Sequence, residues 1–238
     1  MANLAIRSRQ EEQMDAADLD PAVYARVLHD LARVNAFTFT AHPIFAFLKR
    51  ATAGMTRFSL LDVGFGDGDI LRAVARWARR RGLPADLVGV DLNEKSVAAA
   101  RQRTPPDLAA IDYRAGDYRD QPEAFDFIIS SQTAHHMTDD QLRAFIRHME
   151  EKARRGWLIC DLHRLAFAYY GFPLLARLLL VHRIVREDGQ LSIARSFRAE
   201  EWRGILRSAG MDPADVRIVR RFASRLCVER TRPQDETK

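Results

Sequence analysis

The sequence predicts an α/β fold in which helices cover both faces of a mostly parallel, seven-stranded β-sheet. Short apolar runs alternate with amphipathic segments from residue 58 to residue 160, and this alternation is typical of parallel strands joined by crossover helices. Two more apolar runs, at 216–219 and 226–229, predict an antiparallel hairpin at one edge of the sheet. With 238 residues and 47% hydrophobic content, the chain is long enough to bury one such core without disulfides.

The individual elements follow from the periodicity of the apolar residues. The N-terminal part predicts two helices over 19–49, broken near 35–43, and we expect residues 1–50 to form a helical lid on the substrate side. Five buried strands are expected at 58–63, 86–90, 111–115, 125–130 and 156–160, and the helices between them at 69–80, 94–102 and 139–152. The main domain then spans 51–230, and residues 231–238 are expected to form a disordered tail.

The alternation stops after the fifth strand. Residues 165–181 are apolar on nearly all sides, but Gly171, Pro173 and Arg177 interrupt a run too short to cross a bilayer. We therefore expect a helical insertion over 164–195 that roofs an apolar substrate pocket, while packing as extra core or as a dimer face stays open. The roof would consist of Phe167, Tyr169, Tyr170, Phe172, Leu174 and Leu175, assisted by Phe37, Phe39 and Phe45.

An amphipathic helix returns over 197–208. Ser196 is its expected N-cap, because a serine hydroxyl can accept a hydrogen bond from a free N–H of the first turn. Gly210 is suited to the C-terminal end of this helix.

Charge and cysteine content narrow the classes of partner and compartment. The formal net charge is +5, which is compatible with nucleic acid or a membrane surface but requires neither. The densest arginine cluster, 76–81, closes a predicted helix, where cations complement the helix dipole. Cys160 and Cys227 lie in predicted strands and are expected to be small core residues. Because the cysteines are expected to be reduced, we expect a cytoplasmic protein. We expect no nucleic-acid partner, since the net charge does not demand one.

The N-terminal 18 residues carry no apolar run of the kind found in signal peptides. They are charged enough that we expect them to be partly disordered.

A glycine-rich turn follows the first predicted strand. Asp62 is followed by glycines at 64, 66 and 68, directly before a predicted helix. Glycines let the backbone turn tightly and approach a ligand, and the helix start supplies free N–H groups. The dinucleotide fingerprint G-x-G-x-x-G has its third glycine one residue later. Acidic residues around the turn disfavour a pyrophosphate and suit a ligand that carries an ammonium and a sulfonium.

Three further loops end strands at the same edge of the predicted sheet, where open α/β sheets bind ligands. Asp91 stands at the tip of the second strand, and its carboxylate can accept the two hydroxyls of a ribose. Asp117 follows the third strand, where an adenine amino group would be recognised. The fourth strand ends in the polar segment 130–137, which contains His135 and His136.

Together these loops resemble those of the class I S-adenosylmethionine-dependent methyltransferases, in particular the ubiquinone/menaquinone-biosynthesis and small-molecule natural-product types. The resemblance covers roughly residues 58–229, and four motifs carry it: DVGFGDG, GVDLN, AGDY and FDFIISSQTAHHM. It implies a Rossmann-like class I methyltransferase fold that binds S-adenosylmethionine, releases S-adenosylhomocysteine and needs no metal.

The resemblance also implies roles for single residues. Asp62, Gly64, Gly66 and Gly68 would contact the methionyl and ribose part of the cofactor. Asp91, with Leu92 beside it, would bind the ribose, and Asp117 with Tyr118 would flank the adenine. Ser131 and Gln132 would line the cofactor near the methyl group that is transferred.

The acceptor can be narrowed by comparing motifs. Enzymes that methylate base amino groups resemble one another in an Asn/Asp-Pro-Pro-aromatic motif after strand four, where this chain has Ser-Ser-Gln-Thr. A Pro-Cys nucleophile is absent there, and Ser130 replaces the metal-binding aspartate of catechol-type enzymes. The resemblance therefore implies a metal-independent enzyme that acts on a small, hydrophobic acceptor.

Methyl transfer from a sulfonium is an in-line displacement that depends on alignment and exclusion of water more than on a nucleophilic residue. A hydroxyl acceptor must still lose its proton, and an imidazole titrates near neutrality. His163, His135 and His136 are the candidate catalytic bases, with Asp161 as an orienter of His163. The alternatives are that the histidine pair is structural, that Asp161 caps the next segment and that His163 lies at the surface.

The main hypothesis is O-methylation of an aromatic or polyketide-like molecule. Ring C-methylation of a quinone precursor and a non-catalytic, methyltransferase-like binding subunit are the alternatives, and methylation of RNA or protein rests on arginine content alone. Contact with a membrane surface through arginines 164, 177, 183 and 186 is left open, as is a homodimer.

Overall fold

The computed structural model describes residues 3–16 and 18–232. The helices are α1 Pro21–Phe37, α2 Ala41–Ala51, α3 Asp69–Arg80, α4 Glu94–Arg103, α5 Asp139–Lys152, α6 Ala166–Leu178, α7 Arg183–Arg195 and α8 Ala199–Ser208. The strands are β1 Phe58–Val63, β2 Ala85–Asp91, β3 Asp112–Ala115, β4 Phe125–Ser131, β5 Ala153–Leu162, β6 Arg217–Arg221 and β7 Arg225–Thr231.

The seven strands form one sheet in the order β3-β2-β1-β4-β5-β7-β6. The first five strands are parallel, whereas β7 runs antiparallel to both β5 and β6. The predicted fold class is therefore confirmed, including the terminal hairpin. The chain order reverses between β1 and β4, and at such a switch point the loops on either side diverge and leave a crevice at the carboxyl ends of the strands.

Apolar side chains from the sheet and the helices form a core on each face. On one face Phe47 of α2 and Phe58 and Phe127 of the sheet are buried together. On the other face the two largest buried side chains are Trp157 of β5 and Trp202 of α8. Both faces of the central strands are covered, which explains why these strands read as continuous apolar runs rather than as alternating ones.

The N-terminal segment before α1 is anchored, contrary to the expectation of disorder. The Arg7 guanidinium donates to the carbonyls of His135, Met137 and Arg195, and the Ser8 N–H donates to the carbonyl of Ala194. The arginine stacks over the Phe197 ring as well, 3.9 Å from the ring centroid. Local composition did not reveal these contacts, because every partner lies more than 120 residues away.

The insertion after β5 contains two helices, α6 and α7, rather than one apolar segment. Pro173 lies inside α6 without ending it. Ser196 is not the N-cap of α8: its hydroxyl donates to the carbonyl of Ile193 at the end of α7, and Arg198 occupies the N-cap position. Residues 196–198 therefore form a short loop between α7 and α8, and α8 begins two residues later than the predicted helix.

Among the described residues, no helix is long and apolar enough to cross a membrane. Cys160 and Cys227 are free, buried and opposite each other on β5 and β7. They are core residues, as the sequence predicted. The predicted tail lies almost wholly in residues 233–238, outside the described residues, and β7 continues to Thr231.

Candidate active site

A cleft opens at the carboxyl ends of β1 and β4, with an empty volume of about 800 Å³ that is partly open to solvent. Its floor is the turn after β1 together with the loop after β4. Its walls are α1, α7 and the N-terminal segment. The residues that line the cleft include Glu12, Met14, Val27, Leu28, Leu31, Asn35, Asp62, Gly64, Asp69, Ser131, Gln132, His135, His136, Val185, Asp188 and Ser192.

The glycine-rich turn has a backbone that other residues would not adopt easily. Gly64 has φ +78°, and a Cβ built there would lie 2.4 Å from the Thr133 hydroxyl oxygen. Gly68 also has φ +78°, and its Cβ would lie 2.7 Å from the Tyr113 ring. Each of these glycines therefore satisfies two demands, a left-handed backbone and close packing against a side chain. The turn leads directly into α3, with Gly68 at its N-cap position and Asp69, the first residue of the helix, in the cleft lining.

Asp91 ties this turn to the tip of β2. One of its carboxylate oxygens accepts a hydrogen bond from the Gly66 N–H at 2.9 Å, and the other accepts from the Asn93 N–H at 2.9 Å. Burial raises the pKa of the Asp91 carboxyl, and these two donors lower it. The residue lies beside the cleft rather than in its wall, and it fixes the position of the turn.

Asp62 is the clearest sign that the cleft can bind a cationic group. It is 1% exposed, it lines the cleft, and within the described part of the chain neither of its carboxylate oxygens has a hydrogen-bond partner. Burial raises the pKa of this carboxyl well above its ordinary value, and the nearby Asp69 and Asp91 raise it further. A buried carboxylate without a partner is costly. A cationic ligand group beside it, such as the ammonium of a methionyl moiety, would remove that cost.

α1 closes the cleft over the turn. A Cβ built at Gly66 would lie 3.7 Å from the Leu28 side chain, and the Tyr24 hydroxyl lies 2.9 Å from the Ser96 hydroxyl at the start of α4. Deeper in the cleft, the side-chain amide of Asn35 donates to Asp69 at 3.1 Å and its oxygen accepts from Gln132 at 2.6 Å. Asn35 therefore links α1 to both loops of the floor, a role that the sequence did not reveal.

The comparisons with known proteins identify the family. A family model described as a methyltransferase domain matches residues 60–156, which span β1 to the start of β5 and include the glycine-rich turn. The ubiquinone biosynthesis O-methyltransferase of Paramagnetospirillum magneticum is 32% identical over 111 residues, covering 46% of this chain and 40% of that protein. Residues 60–156 therefore form a methyltransferase domain, and the fold around it is that of class I S-adenosylmethionine-dependent methyltransferases.

A second curated relative of this methyltransferase is the ubiquinone biosynthesis O-methyltransferase of Cereibacter sphaeroides. It is 28% identical over 165 residues, covering 66% of this chain and 61% of that protein. The matches therefore span less than two thirds of the length of either curated relative.

Solved structures share the fold over nearly the whole chain. The magnesium protoporphyrin IX methyltransferase ChlM of Synechocystis PCC 6803 with bound SAH has a TM-score of 0.57 at 18% identity and covers 93% of this chain and 92% of that one. PigF with SAH has a TM-score of 0.62 at 16% identity and covers 94% of this chain and 63% of that one. At these identities the likeness concerns the fold.

The residues predicted to bind the cofactor divide into two groups in the methyltransferase. Asp62, Gly64, Ser131 and Gln132 line the cleft, whereas Gly66, Gly68 and Asp91 support its floor. The remaining three lie outside the cleft lining. Leu92 is 78% exposed, the Asp117 carboxylate pairs with Arg119 at 2.6 Å, and the Tyr118 ring packs edge-on against Phe145 and His148. The binding roles of all ten residues stay predictions.

Two of the three candidate histidines lie at the cleft. His135 is buried, and His136, the next residue, is partly exposed to the cleft. His163 does not line the cleft: it is buried beside the turn before β7 and the segment before α8. Its backbone N–H donates to the carbonyl of Ser224, and its backbone pairs with that of Phe197. The expected pairing of Asp161 with His163 is wrong, since Asp161 accepts a hydrogen bond from the His135 ring at 2.7 Å.

The predicted aromatic roof is also wrong. Phe167, Tyr170 and Leu174 of α6 point to solvent, and Phe39 and Phe45 line a separate surface pocket beside Trp77. The apolar wall of the cleft consists instead of Val27, Leu28 and Leu31 of α1 and Val185 of α7. The insertion therefore contributes to the cleft wall through α7, and α6 packs on the outer side of α7.

The raised pKa values predict a pH-dependent stability. Burial and the neighbouring Asp67 raise the pKa of Asp69 from 3.8 to about 6. A folded-state carboxyl with a raised pKa destabilises the fold once it ionises, so stability falls as pH rises from about 4 to about 6 and stays lower above that window. Asp69 alone contributes at most about 3 kcal/mol to this loss.

Urea unfolding between pH 4 and pH 7 measures the effect. We expect the stability of Asp69→Asn to vary less across this window than that of the wild type. Because a cationic ligand stabilises the ionised carboxylates, S-adenosylmethionine should bind more tightly as pH rises through the same window, with release of protons. An affinity independent of pH between 4 and 6 would contradict this electrostatic description of the cleft.

Proposed function

We propose that this methyltransferase methylates an oxygen of a small, uncharged, apolar molecule of the aromatic or polyketide type. The observation that carries the proposal is the division of the cleft into two halves. One half is acidic and contains the unpartnered Asp62, and the other is walled by aliphatic side chains and ends at a histidine pair. The first half suits a cationic cofactor and the second suits an apolar acceptor.

The residues present fit S-adenosylmethionine. Asp62 supplies a carboxylate without another partner, the turn at Gly64 allows close approach of the backbone, and Asp91 holds that turn from behind. When bound, the cofactor supplies a methyl group on a sulfonium, which is already activated for displacement. The chain must then hold the acceptor in line, exclude water and accept a proton from a hydroxyl acceptor.

The acceptor half selects against anions. Val27, Leu31 and Val185 supply apolar contact area, while the carboxylates of Glu12 and Asp188 face the same space. Within the described residues that line the cleft there is no lysine or arginine to bind a carboxylate or phosphate group. An acceptor with an anionic headgroup would meet repulsion there, so a neutral phenol or enol is favoured.

The proton of such an acceptor would be received at the histidine pair. The His136 ring faces the cleft and its Nδ1 lies 2.9 Å from the Asp15 carboxylate, which fixes the orientation of the ring. His163 has no comparable access. The pair and its carboxylate partners are therefore the groups we assign to activation of the acceptor.

The test is transfer of radiolabelled methyl from S-adenosylmethionine to a panel of neutral phenols and enols with apolar substituents. We expect product with at least one acceptor class and a fall in kcat of about 100-fold or more in His136→Gln, in the range of general base catalysis. His42→Gln, in the surface pocket beside Phe39, is the matched control and should retain activity. No transfer to any acceptor by a protein that binds the cofactor would overturn the proposal.

Ring C-methylation of a quinone precursor is the alternative chemistry for the same cleft. The two curated relatives are O-methyltransferases by name, which supports transfer to oxygen. Fragmentation of the product by mass spectrometry distinguishes a methyl ether from a methylated ring carbon.

Contact with a membrane surface and formation of a homodimer stay predictions. The outer face of α6 carries a stripe of exposed Phe167, Tyr170, Leu174 and Leu178, opposite the face that packs on α7. Arg177 flanks this stripe, whereas Arg164 is fully buried against Glu201 and is not available to a membrane. Sedimentation with vesicles containing phosphatidylglycerol, compared with vesicles of phosphatidylcholine alone, tests whether the stripe meets an anionic surface.

A further inference from the structure

We propose that Glu12, His135 and His136 form a binding site for one divalent transition-metal ion at the acceptor end of the cleft. The three residues come from two distant segments: Glu12 from the anchored N-terminal segment and the histidines from the loop after β4. One ligand atom from each lies within 4.8 Å of the others. All three residues line the cleft, so an ion held there would be within reach of an acceptor.

The orientation of both rings is fixed by carboxylates behind them. His135 Nδ1 lies 2.7 Å from Asp161 Oδ1, and His136 Nδ1 lies 2.9 Å from Asp15 Oδ2. Because a carboxylate accepts, each ring donates from Nδ1. In the neutral form of each ring, this leaves Nε2 with a lone pair on the side of Glu12. Burial lowers the pKa of His135, but the Asp161 and Glu12 carboxylates raise it to about 9, so an ion that binds there displaces a proton from this ring. A carboxylate that orients the far nitrogen of a histidine is the usual outer shell of a metal-binding imidazole.

The distances between the candidate ligand atoms suit an ion better than direct bonds. His135 Nε2 lies 3.5 Å from Glu12 Oε1, and His136 Nε2 lies 3.8 Å from Glu12 Oε2. Both distances exceed those of ordinary hydrogen bonds. Two ligands that each lie about 2.1 Å from one ion in tetrahedral geometry are about 3.4 Å apart. Small movements of the glutamate side chain would therefore complete the coordination.

The local charge is compatible with a divalent cation. Glu12, Asp15 and Asp161 bring three negative charges, and Arg195, whose Nη1 lies 3.6 Å from Glu12 Oε1, brings one positive charge. With both imidazoles neutral, the group carries two excess negative charges. The arginine does not close the site, because it lies beyond hydrogen-bond distance of the glutamate. Ser192 donates to the same oxygen at 2.9 Å and holds the carboxylate in place.

Two imidazoles and one carboxylate favour ions such as Zn²⁺, Co²⁺, Fe²⁺ or Mn²⁺ over Mg²⁺ or Ca²⁺. Three protein ligands leave coordination positions open to the cleft. A hydroxyl oxygen that binds at such a position loses its proton more readily, as metal-bound water does. Because both imidazoles are then ligands, that proton would pass to solvent water rather than to a histidine. This role rests on the proposed function, whereas binding of the ion can be tested without it.

The experiment is a titration of the chelator-treated, full-length protein with Co²⁺, followed by visible absorption. We expect one equivalent to bind with the intense bands of a four- or five-coordinate site. Glu12→Gln and His136→Gln should each abolish saturable binding. Asp15→Asn should weaken it about 10- to 100-fold, as for loss of an outer-shell carboxylate. Glu11→Gln, at the exposed neighbouring position, is the matched control and should bind Co²⁺ like the wild type.

If Glu12→Gln fails to fold, the test depends on His136→Gln, because the His136 side chain is more exposed than that of Glu12. The circular dichroism of the His136→Gln variant, compared with that of Glu11→Gln, shows whether it is folded. Binding that is unchanged in His136→Gln, or no binding by the wild type, would overturn the proposal and leave the cluster as an ion-paired anchor of the N-terminal segment. The result is independent of methyl transfer: Co²⁺ binding without transfer activity would count against the proposed function alone.

Discussion

Asp91→Ala is expected to lower the affinity for S-adenosylmethionine by more than about 100-fold, because hydrogen bonds to a charged group contribute roughly 1.5–3 kcal/mol each. The substitution removes a carboxylate at the tip of β2 that holds the N–H groups of Gly66 and Asn93. The glycine-rich turn then loses its support, and the ribose loses the acceptor proposed for its hydroxyls. Isothermal titration of the purified protein measures the effect directly.

Asp86→Ala is the matched control, on the same strand. Asp86 is exposed and pairs with Arg57 at the surface, away from the cleft, and such an exposed pair contributes little to stability. We expect the Asp86→Ala variant to bind S-adenosylmethionine with the affinity of the wild type. Equal affinities of Asp91→Ala and Asp86→Ala would refute the role of Asp91. No binding even by the wild type would point to a cofactor that enters only after another ligand or partner.

Gly64→Ala is expected to abolish cofactor binding and to lower the melting temperature markedly. The added methyl would lie 2.4 Å from the Thr133 hydroxyl oxygen, at a residue whose φ of +78° already disfavours a side chain. Overpacking of this kind costs about 1–3 kcal/mol, and the left-handed backbone adds about 1–2 kcal/mol. The turn and the loop after β4 must therefore separate, which moves the floor of the cleft. Thermal unfolding and titration with the cofactor report the two effects.

Gly82→Ala separates the effect of backbone strain from the effect of the steric clash. Gly82 has φ +62° but nothing within 4 Å of a built Cβ, so this variant carries the backbone strain without the clash. We expect it to lose only about 1–2 kcal/mol of stability and to bind the cofactor normally. Thr133→Ala in the Gly64→Ala background removes the clashing atoms and should restore part of the affinity. Failure of this double variant to recover anything would mean that the backbone, not Thr133, excludes the side chain.

The order of strands and helices could be predicted from sequence because each element carries its own signal. β1 was predicted with the bounds that the structure shows, since a buried parallel strand is a continuous apolar run that ends in a turn. The sequence also brought out several residues that the structure places together in the cleft, where cofactor binding stays a prediction. Asp62, Gly64 and Gln132 belong to short motifs whose residues lie within a few positions of a strand end, and parallel strands bring their carboxyl ends to one edge.

The residues at the proposed acceptor end of the cleft could not be predicted from local sequence. Glu12 lies in a polar segment that resembles a disordered terminus, and its burial depends on contacts with α7 and the loop after β4, more than 100 residues away. The sequence could not show that Asp161 pairs with His135 rather than His163. Asp161 and His163 are two residues apart, a spacing that places both on one face of a strand. Only the packed structure shows that the Asp161 carboxylate contacts the His135 ring.

The sequence by itself determined the α/β architecture, the family and the loops that would hold the cofactor, because these depend on local periodicity and on short motifs. Tertiary structure alone decided that α1 and α7, not the aromatic residues of α6, wall the acceptor half. It also brought a glutamate and two histidines together. The physical reason is that the polarity and charge of a side chain are known from the sequence, whereas its neighbours depend on how distant elements pack against one another.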